Sequence, residues 1–502
     1  MNENNVIGTK SKIIVNNISS GSNSTEQQNI EALSPAVLDA YREIGARNAI
    51  GDFKLSVQAI GGPGENSYGS VLKVLLTPIT RTHPTQKTLR SLHTILKIAP
   101  TNPARRTHIR VKDVYKREVF MYGSVFSEFD ALSRGRTDSP FSVVPRMLYA
   151  SLKDGAEFII FEDLSSNGFV INSRTNLPTY DLVVCAFRAI AQLHAMSFVL
   201  QARNPQQFGD LVTQIDDNLF TIDMGEVTLQ FGKKHVRRTR HMLEADIEDN
   251  DEEMRQTSEV LEALQKIELN FQEICLDAVN GAASAPYAAI CHGDFWNNNV
   301  LYEFDSTKQH CAINAKLIDF QISRYAPPIL DLVHYLYSCT EKPLRDEHFH
   351  EFMQIYYDTV TKIIRDYELD PRVLYPETIF RQQLHRFGVY GFCMSALSVP
   401  FFLLAASEIP DLDKVSEAIR ELSSSSDDSD TDEPKNGFDN IKVQKICKND
   451  KKSLSPKSQS AAELVDEYDL LTERTLPLFK RRMIGNAMDL QRYEMIEAIM
   501  KY

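Results

Sequence analysis

Apolar positions along the chain change their period several times, and each change predicts an element. From Glu31 to Asn48, Leu33, Val37, Leu38, Tyr41 and Ile44 recur at helical spacing. Phe53 to Ile60 alternates apolar and polar like a half-buried strand and runs into Gly61-Gly62-Pro63-Gly64-Glu65-Asn66-Ser67-Tyr68-Gly69-Ser70. A second apolar strand follows from Val71 to Leu76, and a third, Thr94 to Ala99, holds one charged residue, Lys97. Asp113 to Phe129 reads as a helix whose apolar stripe includes Val114, Met121, Tyr122 and Val125, and Glu118 falls on that stripe. Phe158 to Phe161 is a short buried strand, followed by Glu162-Asp163-Leu164.

Helical periods dominate thereafter. Leu182 to Leu200 is strongly apolar and contains Leu193-His194-Ala195, whose lone histidine on an apolar helix reads as a satisfied core residue. Asp210 to Asn280 reads as helical with an acidic solvated cluster, and Asp331 heads an amphipathic helix after Pro327-Pro328. Phe387 to Ser407 carries no charged residue and approaches membrane-spanning length. Gly388, Gly391 and Pro400 interrupt it, and no basic cluster flanks it, so it reads as a core helix with no membrane span. The resulting organisation is a disordered polar leader over 1–33 and a strand-rich segment over 34–164. A helical segment covers 165–422, a disordered acidic, serine-rich insertion 423–460, and C-terminal helices 461–502.

Composition narrows the class without naming it. The chain has 502 residues, 43% of them apolar and 25% charged, as in an ordinary globular protein. A net charge of -13 argues against nucleic-acid binding, which needs a basic surface. Seven cysteines with no CxxC pair, and no apolar run resembling a signal peptide near the start, predict a reducing, cytoplasmic setting. No protein partner is evident from the sequence.

The chemistry concentrates in two stretches. The first is Cys291-His292-Gly293-Asp294-Phe295-Trp296-Asn297-Asn298-Asn299, and the second is Lys316-Leu317-Ile318-Asp319-Phe320-Gln321. Phosphoryl transfer from a nucleotide needs a carboxylate beside the acceptor hydroxyl, an amide oxygen on metal and a second carboxylate on metal, and these stretches supply all three. Upstream, strand, glycine-rich turn, strand is how backbone amides are laid against a triphosphate, which makes Gly64 and Ser67 candidate nucleotide contacts. Lys97 must snorkel or find an anion, and is favoured over its rival Lys73 for the phosphates. Glu118 is the natural carboxylate to orient that lysine. Glu162 to Leu164 marks where main-chain groups would meet an adenine edge.

These residues resemble the small-molecule kinases related to choline kinase and aminoglycoside phosphotransferases. Trp296, Asp319-Phe320-Gln321, Leu193-His194-Ala195 and Glu162-Asp163-Leu164 are closest to the ecdysteroid kinase-like (CHK kinase-like) family. The resemblance spans roughly Asp52 to Pro410. It implies an α+β, protein-kinase-like two-lobed fold: a small antiparallel β lobe with one helix over 34–164, and a large mostly helical lobe over 165–422. It implies ATP and Mg as cofactors, Asp294 as catalytic base, and Asn299 and Asp319 as metal ligands. Lys97, oriented by Glu118, would sit on phosphate, with His292 packing inside the loop and Asp331 bracing it. The acceptor would be a small-molecule alcohol: a steroid such as an ecdysteroid, a related conjugated compound, or a choline- or aminoglycoside-type compound. Tyr335, Tyr337, Phe392 and Phe401 could line a pocket for any of these. A kinase-fold protein that binds a hydrophobic ligand without turnover is the rival class.

Overall fold

The alternation over Phe53–Ile60 becomes a strand because each second side chain meets the face of one amphipathic helix. The computed structural model describes residues 13–17, 33–60, 69–79, 90–136, 140–215, 225–247, 251–307, 311–424 and 469–502. The described chain is α+β and forms two compact units: Met1–Asn102 with Pro145–Asn167, and Pro103–Val144 with Gly168–Tyr502. The expected boundary at 164 therefore differs in one respect, since residues 103–144 group with the second unit.

Among the described residues, the first unit is a six-stranded sheet with one helix. Its strands are β1 (Ile13–Asn17), β2 (Phe53–Ile60), β3 (Ser70–Pro78), β4 (Leu92–Ile98), β5 (Met147–Ser151) and β6 (Phe158–Glu162), in the order β1-β2-β3-β4-β6-β5. All neighbours are antiparallel except β1, which pairs parallel with β2 from Ile13↔Phe53 to Asn17↔Val57. The disordered leader expected over 1–33 is thus corrected at Ile13–Asn17, whose backbone groups find partners on the edge of β2. Helix α1 (Pro35–Arg47) starts at Ser34, whose hydroxyl accepts from the Val37 amide. Its buried face of Val37, Ala40, Tyr41 and Ile44 packs on Phe53, Leu55, Val57, Val74, Leu76, Leu96 and Ile160 of the sheet. Burial of each large side chain there contributes about 1.5–3 kcal/mol. The Tyr41 hydroxyl bonds Thr94 Oγ1 at 2.9 Å, and that hydroxyl donates to the Val74 carbonyl, so the polar atoms under the helix are satisfied. Cross-strand register places Lys97 beside Val71 and Ile159, on the sheet face opposite α1.

The second unit is mostly helical. Helix α2 (Val111–Phe120) continues through a π turn at Met121–Val125 into α3 (Phe126–Ser133), where one helix had been expected over 113–129. Strand β7 (Phe169–Ile171) leads to α4 (Tyr180–Arg203). By length and composition α4 could cross a membrane, and 89% of that apolar stretch is buried inside the unit. Strands β8 (Ala289–Cys291), β9 (Val300–Phe304), β10 (Ala312–Leu317) and β11 (Arg324–Ala326) form the sheets β10-β9-β7 and β11-β8. Helices α5 (Ile329–Cys339), α6 (Lys342–Asp366), α7 (Val389–Phe402) and α8 (Leu476–Arg492) contribute to the core.

The charge-free stretch is α7, buried from Val389 to Ala396. Gly391 lets it lie against α5: a Cβ there would fall 2.4 Å from the Tyr337 ring and 2.6 Å from the Val333 carbonyl. The C-terminal helix is anchored by a fully buried pair, Arg345 Nε to Asp489 Oδ2 at 2.6 Å, reinforced by Arg345 to Asn486 at 2.7 Å. Helix had been expected from Ala461; among the described residues it begins at Leu476. Nearly all of the proposed insertion over 423–460 lies outside the described residues.

Candidate active site

The hairpin β9–β10 creates the site. Pairing Leu317 with Val300 sets the residue before β9 beside the residue after β10, and the Ile318 amide donates to the Asn299 carbonyl at 3.0 Å. Asn299 and Asp319, 20 positions apart in sequence, become neighbours through that bond. Asp319 adopts φ +68, a left-handed conformation that L residues seldom take outside special sites.

Asp294 enters from the other side, on the turn after β8. Gly293 makes that turn at φ +85, and a Cβ on it would lie 2.1 Å from the Ile322 carbonyl, so no other residue fits. The half-buried Asp294 accepts on Oδ2 from Asn299 Nδ2 at 3.0 Å and from Trp296 Nε1 at 3.3 Å. Asn299 Nδ2 also donates to the Asp294 carbonyl at 2.9 Å. Burial of the carboxyl, and then the like charge of Asp319, raise its pKa to about 7, against the opposing hydrogen bonds from Asn299 and Trp296.

The loop is held from below by Asp331. Its Oδ2 accepts from the His292 amide at 2.7 Å, and its Oδ1 accepts from the Gly293 amide at 3.0 Å. His194 Nε2 lies 3.1 Å from Oδ2, and His194 Nδ1 meets the Tyr356 hydroxyl at 2.9 Å. Burial alone would raise the Asp331 carboxyl, but the His194 hydrogen bond and the nearby histidines carry it below its ordinary value. His194, Cys291 and Asp331 bring potential ligand atoms within 4.8 Å of one another. These atoms already have partners: His194 and Asp331 bond each other, and the Cys291 thiol donates to the Ala326 carbonyl. The expectation that His194 is a satisfied core residue holds, and its partner turns out to be the bracing carboxylate.

His292 is committed to structure. Nδ1 accepts from the Asp294 amide at 3.3 Å, so Nε2 carries the hydrogen donated to the Ile318 carbonyl at 2.9 Å. Burial lowers its pKa and keeps the ring neutral. Its ring lies 4.5 Å from Phe320, which packs 4.7 Å from Phe126 and 5.7 Å from Tyr122 of the π turn. Buried Glu118 and half-buried Asp319 both add to the burial that raises the Tyr122 hydroxyl, so the three share one neighbourhood.

Residues the sequence reading missed close the loop from Gln321 onwards. Ser323 Oγ donates to the His292 and Phe320 carbonyls at 3.2 and 3.1 Å, and Arg117 donates to the Ser323 carbonyl. Buried Arg324 reaches the Gly293 carbonyl at 3.4 Å and the Tyr390 hydroxyl at 3.1 Å. An arginine directly after an apolar motif and opening a short strand was the only available signal.

The aromatic acceptor pocket expected from Tyr335, Tyr337 and Phe392 is corrected, because all three are fully buried. Tyr335 instead bonds the Tyr302 hydroxyl at 2.8 Å and Asn297 Oδ1 at 3.4 Å. Phe401 is 41% exposed and lies 5.4 Å from Phe231, while its neighbour Phe402 stacks on Trp296 at 4.0 Å and 9°.

In the first unit, Lys97 is buried, whereas Lys73 is half-buried, donating to Ser165 Oγ at 2.7 Å with Asp163 Oδ2 at 3.9 Å. Glu162 uses its carboxylate on Arg146, accepting from the amide at 2.9 Å and from Nε at 3.0 Å. Its amide donates to the Arg146 carbonyl, and Leu164 begins a short 3-10 turn. Lys97 and Glu118 belong to different units. Gly64 and Ser67 lie outside the described residues.

Residues 63–369, more than half of the chain, match the model of the ecdysteroid kinase-like family. No curated protein matches. Among solved structures, an ethanolamine kinase from Plasmodium vivax is 13% identical, with 69% of this chain and 82% of that one covered and a TM-score of 0.32. A putative fructosamine-3-kinase from Haemophilus somnus is 11% identical, covering 74% and 95%, at TM-score 0.31. An AMP-bound spectinomycin phosphotransferase is 12% identical, covering 69% and 90%, at 0.26. At TM-scores of this size the likeness carries no argument about this chain.

Proposed function

The chain belongs to the ecdysteroid kinase-like family, and we propose that it transfers a phosphoryl group from ATP, with Mg, to a hydroxyl of a small molecule. One observation carries the reading: Asp294, Asn299 and Asp319 converge through the Ile318–Asn299 backbone bond, so a proton acceptor and two oxygen-bearing metal ligands share one loop pair.

The residues suit a hard divalent cation. Asn299 spends its amide hydrogens on Asp294, which leaves its carbonyl oxygen as the ligand atom, and Asp319 offers a carboxylate. The repulsion between Asp319 and Asp294 is what a cation at this place would relieve. When bound, Mg supplies charge cover for the phosphates during transfer. Asp294 orients the acceptor hydroxyl and receives its proton. Asp331, His194 and His292 keep the loop in register, and the neutral His292 has both ring nitrogens engaged and takes no proton. Lys97, buried in the first unit, is assigned to the nucleotide phosphates.

The acceptor assigned here is a flat, uncharged alcohol of the steroid type. Trp296 beside Asp294 stacks on Phe402, and the adjacent residue, Phe401, packs against Phe231, so two aromatic pairs lie at the end of α7. Arg174 donates to the Leu404 carbonyl two residues past Phe402, a cation that disfavours choline or an aminoglycoside there. The six described cysteines are free thiols, which supports a cytoplasmic setting.

The test is phosphate transfer from ATP to ecdysteroids, glycosides, choline and aminoglycosides, with Asp294→Asn as control. Transfer to a steroid alcohol that disappears in the variant is expected. Activity that survives the substitution removes Asp294 as the base. Tight sterol binding with no turnover would replace the enzyme by a binding protein.

A further inference from the structure

Resting on the kinase reading above, we propose that Trp296 is a positioning residue that fixes which oxygen of Asp294 meets the acceptor. Both side-chain donors to that carboxylate fall on the same atom: Asn299 Nδ2 at 3.0 Å and Trp296 Nε1 at 3.3 Å both reach Oδ2. An indole N–H only donates, so this contact cannot reverse its sense. With two donors on Oδ2 the carboxylate cannot rotate without breaking both bonds, and Oδ1 is the oxygen turned toward the acceptor hydroxyl. As the acceptor oxygen forms its bond to phosphorus, its proton passes to Oδ1. The bridging bond to the nucleoside diphosphate breaks, and its electron pair leaves with that group.

The indole is itself held. Its ring stacks on Phe402 at 4.0 Å and 9°, a nearly parallel contact at the last residue of α7. That helix is seated on α5 through Gly391, and α5 carries Asp331 in its first turn. The loop is therefore fixed at two points by one pair of packed helices: Asp331 holds the backbone of His292 and Gly293, and Phe402 holds the ring that holds Asp294.

Trp296 is the sole tryptophan of the chain, which permits a test independent of turnover. Protein labelled with ¹⁵N-tryptophan gives one indole cross-peak. In the full chain, that peak is expected to move in Asp294→Ala and its hydrogen to exchange about tenfold faster. A peak indifferent to Asp294→Ala removes the hydrogen bond and the proposal.

Kinetics test the role. Trp296→Phe keeps a ring for Phe402 and loses the donor; kcat is expected to fall about tenfold with the acceptor KM unchanged. Trp296→His, which restores a ring N–H, is expected to recover part of that loss. Phe402→Leu, which leaves the donor in place, is expected to fall between them, with near-ultraviolet dichroism of the tryptophan reduced. An unchanged kcat in Trp296→Phe overturns the proposal, as does a loss confined to KM, which would make the ring a binding platform. A wild type that phosphorylates no acceptor overturns the kinase reading first; an active wild type with an indifferent Trp296→Phe overturns this inference alone.

Discussion

Asp294 and Asp331 serve the same loop from opposite ends and are held in opposite electrostatic states. Asp331 is buried and receives two backbone amides and a histidine, so its carboxyl lies below its ordinary value. Asp294 keeps part of its surface open, yet burial of its carboxyl and Asp319 beside it push it up to about 7. The deciding variable is the company each carboxylate keeps. Where backbone amides and histidines answer the carboxylate and no like charge stands beside it, burial yields a fixed anion that braces the backbone. Where a second carboxylate is brought close, burial yields a group poised to exchange a proton near neutral pH.

Removing the brace has the largest expected consequence. Asp331→Ala leaves the His292 and Gly293 amides and His194 without their acceptor, and about 3–5 kcal/mol of stability is expected to be lost in urea denaturation. Turnover should disappear with it. The same truncation tolerated within 1 kcal/mol would end the contrast drawn here. At the other carboxylate the outcome is inverted: Asp294→Asn should cut kcat about a hundred- to ten-thousand-fold while the melting temperature holds or rises.

The two carboxylates should also separate with pH. Because the folded pKa of Asp294 lies above its free value of 3.8, the folded chain binds the extra proton between about 4 and about 7. Its contribution to metal-free stability should therefore decline as pH rises through that window. Asp294→Asn removes the decline, so the variant gains on wild type from pH 4 to 7 in parallel thermal melts. Asp331 has the opposite sign: its lowered carboxyl adds stability that is present above its free value and fades as pH falls through the lowered one. A variant whose advantage is the same at pH 4.5 and 7.5 would contradict the assignment to Asp294.

Smaller effects sharpen the metal and phosphate assignments. Asp319→Asn should abolish the rise in melting temperature given by ATP with Mg, and should leave the metal-free protein no less stable, since it removes the repulsion on Asp294. Chelation with EDTA should copy the first effect in wild type. Between the lysines, Lys97→Met should lower kcat/KM by at least tenfold. Lys73→Met, which breaks a hydrogen bond to Ser165 and a 3.9 Å contact with Asp163, should stay within about threefold. Equal losses would reopen the choice between them.

The motif residues were legible because their chemistry depends on short spacing. Asp294 and Asn299 lie on one turn, and Asp319 closes an apolar strand, so their convergence could be expected from the sequence. The sheet was legible too, since Phe53–Ile60 and Thr94–Ile98 carry their period on their surface. What stayed hidden depends on distant packing. Nothing local to His194 announces a partner at Asp331, and Arg117 meets Ser323 only because two segments far apart fold together. Tyr335 and Tyr337 looked like pocket lining because an apolar helix does not disclose which side faces a cavity. The strand at Ile13–Asn17 was masked by the polar residues around it, although its own Ile-Ile-Val run has strong β propensity.

The left-handed backbone at Asp319 bears on how such a sequence can change over generations. An aspartate at φ +68 costs about 1 kcal/mol relative to a residue at ease there. Glycine would relieve that strain, and asparagine tolerates it well. Selection for folding alone would thus favour losing this carboxylate. Under the metal role proposed for Asp319, a lineage released from that role should drift first here, toward glycine or asparagine, while Gly293 and Asp331, which hold the loop, stay in place.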